Sequence, residues 1–548
     1  MPPKDFIELF TELKRRYKAE RERFEEYLRC LEKESENDEE ARKILQSFES
    51  FLYDVTIPDW LKEVIYYGQI YNHYYFDHPS EPLPSLPNDV VEVEESRKGG
   101  EPKISVNYTK LTDYLINRYC IVTFKKIMYV YKDGRFVEGE DVVRKTIELI
   151  MRKYGIADKK KIEGVKTEIV KRIYDLTFFP DYPFNLLGRE FIPIENGVLW
   201  RENSYKLLPH SPFFLYTFRL LVKWDPNAEC PRIEKFISEV VAAENQPILY
   251  EIPASCLLMS SNYHFAYMLV GSGSNGKSTY LTLVERLLGQ DNIANVALQD
   301  LIRDKFKTYQ LVGKLANIYA DLPKNAIFDT GKFKVLTGGD RVTVERKFKD
   351  PFETRITARM IFSANELPEV NDRTYAFWRR WIVVEFPHQF APNPDLIDEL
   401  MTEEELSGFF NKVLEALMRI ELNGPTKTET VEKIMEDWMS RSNSVYAFVR
   451  ERIERDPKSF ELKDDVYSAY VEFCEGQELN AYDKAKFAKE LVRLVPGVRA
   501  ERKKIGGVRV QVWVGIRLRE VRDVEDEDDY GGDVYDNTEE VMDLSEFM

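Results

Sequence analysis

Gly271-Ser272-Gly273-Ser274-Asn275-Gly276-Lys277-Ser278 decides how the rest of the chain is read. It has the spacing G-x-x-x-x-G-K-[ST], a glycine-rich turn whose backbone N–H groups cradle phosphates. Its flanks fit the same reading. Phe265 to Val270 (FAYMLV) is a short apolar run that predicts a buried strand, and Lys277 to Leu288 (KSTYLTLVERLL) predicts a helix. A strand, a tight turn and a helix start bring unpaired N–H groups and the positive helix end onto one spot. With ATP as ligand, Gly271 to Ser278 and the following Thr279 would wrap the phosphates. Lys277 would reach the β- and γ-phosphates, and Ser278 would hold Mg²⁺. The bland alternative is a simple glycine turn, which the flanking strand and helix argue against.

A triphosphatase also needs an acid at a strand end to hold the metal and water. Leu315-Ala-Asn-Ile-Tyr-Ala-Asp321 supplies one after an apolar run, so Asp321 is the candidate. A second run, Met360-Ile-Phe-Ser-Ala-Asn365, ends in an amide able to orient a water; its plain alternative is an Asx-turn. Arg379 and Arg380 stand just before the apolar run WIVVEF. An arginine supplied across a subunit interface stabilises charge in phosphoryl transfer, whereas a surface arginine more commonly makes a salt bridge. Between the acid and the amide, Leu336 to Lys349 alternates as a strand and ends in the basic, aromatic tip Lys347-Phe348-Lys349. Lys347 there suits a phosphate and Phe348 a sugar or base; a solvated hairpin end is the alternative.

The 548 residues are too many for one core, and 43% of them are hydrophobic. No apolar run is long enough to span a membrane, and the N-terminal stretch MPPKDFIELFTELKRR lacks an apolar signal core. Cys30, Cys120, Cys230, Cys256 and Cys474 are scattered singly, without zinc-like spacing or a disulfide framework. The expected compartment is therefore reducing and cytoplasmic. The net charge of −17 argues against a nucleic-acid binder, but twelve acids and one base crowd between Val521 and Met548. That leaves only −6 for the rest, which permits a basic channel.

The expected order along the chain is a helical region at 1–78, a linker or mobile loop at 79–104 and a mixed α/β domain at 105–225. A helical approach at 226–262 leads into an ATPase domain at 263–395, then a helical connection at 396–443. Strand-like stretches IVTFKK, IMYVYKDGRFV and FIPIENGVLW lie in the mixed domain, with DGRF as a hairpin turn. Within 444–518, three helices (SVYAFVRERIE, LKDDVYSAYVEFCEG, DKAKFAKELVRLV) precede a basic hairpin, GVRAERKKIGGVRVQVWVGI. That order suggests a winged helix. Residues 519–548 form an acidic tail that cannot bury enough apolar surface to fold alone.

The stretches GSGSNGKST, NIYADLP, FKVLTGGDRVTVERKFKDPF, MIFSANELP and AFWRRWIVVEF together resemble the superfamily 3 helicases of the phage/plasmid primase C-terminal type. Upstream, ENGVLW, LLPHSP and WDPNAECP resemble the domain that precedes the motor in that family, so the likeness runs over roughly residues 110–518. The resemblance implies an α/β AAA+-type P-loop ATPase core, a helical and mixed α+β N-terminal region, and a C-terminal winged helix. It further implies an ATP- and Mg²⁺-dependent homo-oligomer, a hexamer, translocating 3′ to 5′ on single-stranded DNA. Lys277 and Ser278 then take the first loop's roles and Asp321 the second's, with Asn365 as sensor. Lys347 and Phe348 fall at the DNA-gripping hairpin tip, and Arg380 matches the arginine finger, with Arg379 as its close alternative. One departure is Ala320 before a lone Asp321, where many relatives carry paired acids, so the general base stays open. A second is the short N-terminal region, which has no Asp-x-Asp pair with a downstream His, so primer synthesis is not expected.

In the C-terminal module, Arg499, Arg502, Lys503, Lys504 and Arg509 would meet phosphates of duplex DNA; a protein-docking winged helix is the alternative. The tail reads as a recruitment peptide for a replication partner, a DNA mimic or a solubilising segment. The leading expectation is a replicative helicase of a virus, plasmid or integrated element. A nucleotide-switched origin-binding factor is the second reading, kept open by the lone Asp321. A small-molecule kinase would not need the sensor Asn, the basic hairpin and the terminal module together.

Overall fold

A computed structural model describes residues 4–16, 29, 56–76, 90–94, 103–202, 204–259, 263–322, 330–347, 351–368, 370, 374–477 and 479–519. The chain forms two compact units. One comprises Met1–Leu322, Gly331–Asn365 and Val384–Thr426, the other Pro323–Thr330, Glu366–Val383 and Lys427–Met548.

In the first unit, helices Lys4–Arg16 and Asp59–Phe76 meet through aromatic edges, Phe6 against Trp60 at 5.8 Å. Apart from Arg29, the remainder of the helical region expected before residue 56 lies outside the described residues. The 79–104 linker needs correction. β1 (Val91–Glu94) pairs antiparallel with β2 (Lys103–Val106), and Val90 and Val91 are buried. The Val-x-Val alternation there was hidden among charged residues.

A four-stranded sheet follows, built from β3 (Val122–Phe124), β4 (Ile127–Lys132), β5 (Arg135–Glu138) and β6 (Phe178–Phe179) in the order β5-β4-β3-β6. Helices Tyr108–Tyr119, Glu140–Lys153 and Lys159–Thr177 cover it, and Leu115, Ile147 and Ile169 bury fully in the shared core. The expected DGRF turn is present: Asp133 and Gly134 take φ of 50° and 78°. Two positive φ values make the turn whose twist suits adjacent strands. β7 (Phe191–Ile194), β8 (Gly197–Arg201) and β9 (Tyr205–Leu208) form an antiparallel meander.

The central sheet has five strands. β10 (Ala266–Val270), β11 (Ile293–Ala294) and β12 (Ala316–Tyr319) precede a hairpin of β13 (Arg341–Val344) and β14 (Phe352–Arg355). β15 (Arg359–Ala364) and β16 (Trp381–Glu385) complete the set, in the order β11-β12-β15-β10-β16. β11 with β12, β12 with β15 and β15 with β10 are parallel. Every residue of β15 is buried, which is why these strands read as continuous apolar runs rather than alternating ones. The strand expected from Leu336 begins later. Gly331–Gly338 is a helix that buries Phe333, Leu336 and Thr337 at helical spacing, and Gly339 (φ 71°) follows its end.

Helix Glu403–Asn423 braces helix Pro231–Val240, which has no side-chain N-cap of its own. The buried Glu405 carboxylate instead accepts the N–H groups of Arg232 (3.2 Å) and Ile233 (3.1 Å). Close approach requires Gly408: a Cβ there would fall 2.2 Å from the Glu229 carbonyl carbon. Alanine normally helps a helix, but here backbone must move. Gly408→Ala is expected to destabilise the chain by about 3 kcal/mol, read as a lowered denaturant midpoint. A gain in stability would show that the two helices are not packed this closely.

The second unit carries helix Ser444–Arg452, β17 (Ile453–Leu462), helices Lys463–Gly476 and Lys484–Leu494, then β18 (Arg499–Ile505) and β19 (Val508–Leu518). The sheet order is β17-β19-β18, and Phe448, Tyr470, Phe487 and Trp513 fill the core. β17 corrects the expectation of helices followed only by a hairpin. Its sequence, IERDPKSFEL, is charged and contains proline, as an edge strand permits, and its register breaks between Asp456 and Phe460. Among the described residues no helix is long and apolar enough to cross a membrane. The acidic tail from residue 520 lies outside the described residues.

Candidate active site

Parallel register places the candidate residues together. Tyr319 pairs with Phe362, and Ala364 with Val270, so β12, β15 and β10 end side by side. Asp321, Asn365 and Gly271 follow these ends by one or two residues. The chain leaves β10 towards β11 on one side, whereas β15 leads to β16 on the other. A change of direction of this kind opens a crevice at the carboxyl ends of the strands.

The loop from Gly271 to Gly276 is shaped by its backbone. Gly273 (φ 108°), Ser274 (φ 52°) and Gly276 (φ 85°) all take left-handed values. Ser274 is the strained member, since side chains rarely adopt that conformation outside functional turns. Gly271 has no room for a Cβ, which would lie 2.0 Å from Asn275 Nδ2 and 2.6 Å from the Phe386 carbonyl oxygen. Helix Lys277–Leu288 starts at Gly276 with no side-chain cap and no acid in its first turn. Its leading N–H groups and positive end are therefore left to an anion.

Lys277 is only 5% exposed. Its ammonium donates to the Gly271 carbonyl (2.6 Å) and to Asn275 Oδ1 (2.9 Å). Burial lowers its pKa below the ordinary lysine value, and the Asp321 carboxylate partly opposes that. Ser278 and Ser272 are exposed at the rim. Asp321 has φ 56°, and its N–H donates to Ser363 Oγ at 3.3 Å, while the N–H of Leu322 donates to the Ser363 carbonyl at 2.8 Å. Ser363 thus sets the position of the acid, a role no local pattern announced. Asn365 is exposed just after Ala364, whose carbonyl accepts the Gly271 N–H.

A strap that sequence reading missed closes over the loop. The Phe386 N–H donates to the Val270 carbonyl (2.8 Å) and the Phe390 N–H to the Ser274 carbonyl (2.8 Å). Asn275 Nδ2 donates to the Phe386 carbonyl (3.2 Å), and Gln389 Nε2 to Ser272 Oγ (3.1 Å). The loop is thereby fixed from outside as well as by its glycines.

The β13–β14 hairpin joins the central sheet at the opposite end, since β14 runs into the amino end of β15, and Lys347 is exposed beyond β13. Phe348 and Lys349 lie outside the described residues. Arg346 donates through Nη1 to both Glu138 oxygens (2.9 Å each) and to the Tyr309 hydroxyl (3.3 Å). Arg379 and Arg380 belong to the second unit. Arg379 is exposed; Arg380 is buried and donates through Nη1 to the Ala376 carbonyl. In the basic hairpin of that unit, Lys504 stands opposite Arg509 and Arg502 opposite Gln511, with Lys504, Arg509 and Arg502 exposed. Like charges directly across a ladder repel, so that pair is costly without an anion. Lys503 lies 4.1 Å from the Phe460 ring, and Arg499 pairs with Glu501 at 2.6 Å.

Two spans match family profiles: residues 109–242 that described as D5 N terminal like, and residues 269–380 a family of unknown function, DUF5906. The second span contains the loop, Asp321, Asn365, Arg379 and Arg380. The chain is 25% identical over 254 residues to "Putative helicase L207/L206" of Acanthamoeba polyphaga mimivirus, covering 43% of this chain and 26% of that one. It therefore spans about a quarter of that relative's length. Among solved structures, an apo A form of the NrS-1 C-terminal region aligns at TM-score 0.44 with 14% identity, over 72% of this chain and 95% of that one. Another apo structure of the same region aligns at 0.42 with 13% identity, over 74% and 98%. The sequence relationship thus runs to a viral protein that bears a helicase name.

Proposed function

We propose that the chain is an ATP-dependent replicative DNA helicase of superfamily 3 type, acting as a ring, a hexamer, with hydrolysis at subunit interfaces. The observation that carries this reading is the gathering of the 271–278 loop, Asp321 and Asn365 at the carboxyl ends of neighbouring strands, with a buried lysine aimed into the loop. A desolvated ammonium hydrogen-bonded to a carbonyl and an amide oxygen suits a polyanionic ligand. The uncapped start of helix Lys277–Leu288 suits it for the same reason.

In this reading the backbone of Gly271 to Gly276, with Ser278 and Thr279, wraps the phosphates of ATP. Lys277 neutralises the β- and γ-phosphates. Ser278 and Asp321 hold Mg²⁺, which supplies charge neutralisation along the phosphates when bound. Among the described residues no cluster of three His, Cys, Asp or Glu side chains forms a metal cage. Magnesium held by one carboxylate, one hydroxyl and the substrate's own phosphates needs no such cage. Asn365 orients the attacking water. Lys347, just beyond β13 on the hairpin, grips single-stranded DNA, and Arg502, Lys503 and Lys504 meet duplex phosphates from a winged-helix module.

The exposure of Arg379 favours it over Arg380 as the arginine lent to a neighbouring subunit. One feature supports a second reading, a nucleotide-switched origin-binding factor: Ala320 leaves Asp321 as the only acid at its strand end. Strand displacement on 3′- and 5′-tailed duplexes separates the two. The helicase reading expects ATP-dependent displacement from one tail only, with hydrolysis stimulated by single strands. Nucleotide-dependent DNA binding with slow turnover and no displacement from either tail would replace it with the switch.

A further inference from the structure

Two-residue hairpin turns of type I′ need left-handed φ at both positions, and they favour Asn-Gly, Asp-Gly and Gly-Gly for that reason. The β4–β5 turn uses Asp133-Gly134, and the β18–β19 turn uses Gly506-Gly507. The β3–β4 turn breaks this pattern. Phe124 pairs with Ile127, and the two residues between them are Lys125 (φ 46°) and Lys126 (φ 60°). Both side chains are exposed. Two lysines in left-handed backbone strain a turn that asparagine and glycine would relax. Turn geometry alone gives no reason for lysine at either position.

Their surroundings supply one. Phe124, just before the turn, sets its ring edge-on to Phe352, the first residue of β14, at 5.6 Å. Arg346, on the connection of the same hairpin, is tied to Glu138 at the end of β5. The β13–β14 hairpin is thus seated on the sheet whose tip carries the lysine pair. Glu138, at the end of β5, is occupied by Arg346. Glu140, just beyond it, accepts the Tyr174 hydroxyl (2.7 Å) and pairs with Arg144. The Lys125 ammonium faces the Phe124 ring at 5.9 Å and has no ion pair among the described residues.

We propose that Lys125 and Lys126 bind backbone phosphates of the single-stranded DNA held by the β13–β14 hairpin, making the preceding domain part of the DNA grip. This rests on the helicase reading above. The lysines act as point charges on a rigid two-residue tip, and they contribute affinity without base selectivity.

The test uses the full chain, a fluorescent oligo-dT probe and a series of salt concentrations, read by anisotropy. The informative variant is K125N/K126G, which installs a favoured turn while removing both charges. Its melting temperature should rise, so weaker binding cannot be blamed on unfolding. Affinity should fall about tenfold, and the slope of log affinity against log salt should shrink by about 1.4, two single-strand phosphate contacts. Hydrolysis without DNA should be unchanged. K347A is the comparator. If K347A weakens binding and K125N/K126G leaves affinity and slope at wild-type values, the lysine turn is not a DNA contact, and the helicase reading stands. If the wild-type chain itself does not bind the probe, both fall together.

Discussion

Lys277→Ala is expected to abolish ATP hydrolysis and leave the chain folded. The loss should reach at least roughly 10²–10³ in kcat, the scale for removing one preorganised donor from a charge-developing centre. It combines two effects. The ammonium is the one charged side chain bonded within the loop, and burial has already stripped it of water, so its interaction with an anion is strong for a single charge. The fold should not suffer in proportion, because the lysine is held there against its desolvation.

The sign of that argument is open to measurement. Burial lowers the pKa of Lys277 in the native state, so the folded chain binds fewer protons than the unfolded one as pH approaches the ordinary lysine range. Stability of the wild type should therefore rise relative to Lys277→Ala as pH climbs through that window. Urea unfolding of both proteins across alkaline pH gives the comparison. A wild type that loses ground with rising pH would mean the lysine stabilises the apo fold, and the variant's inactivity would then need a structural explanation.

The loop was legible because strand, turn and helix are contiguous: each period is visible within six to twelve residues, and Gly271, Gly273 and Gly276 mark where the backbone must turn. Asp321 and Asn365 were legible for a related reason, since both end apolar runs that parallel register then aligns. What the sequence hid is held by distant pairs. Ser363 meets Asp321 across 42 positions, Phe386 meets Asn275 across 111, and Glu138 meets Arg346 across 208. None of these carries a local period. β17 was hidden differently, because an edge strand owes little to the core and can be written in charged residues. The Leu336 region failed because a short helix runs into a strand with only Gly339 and Asp340 between them, so Leu336, Val342 and Val344 read as one alternation.

The two arginines before β16 were indistinguishable as letters, and their burial now divides the expected results. Arg380→Ala should act on folding. It removes a buried guanidinium that donates to the Ala376 carbonyl beside Phe377, Trp378 and Trp381, which pack edge to face. Trp378 and Trp381 in turn pack on Trp438. A lower melting temperature is its expected signature. Arg379→Ala should melt like the wild type, because its side chain is exposed, and should lose roughly 10³–10⁵ in hydrolysis rate if it serves a neighbour's nucleotide. Mixing makes the assignment decisive. Neither Lys277→Ala nor Arg379→Ala hydrolyses alone, yet in a mixed ring an intact loop from one protein faces an intact arginine from the other. Hydrolysis should reappear at those hybrid interfaces and vary with the mixing ratio. Wild-type turnover by Arg379→Ala alone rules it out as the finger. Inactive mixtures would place the lost function within one subunit, where an exposed arginine has no neighbour's phosphate to serve.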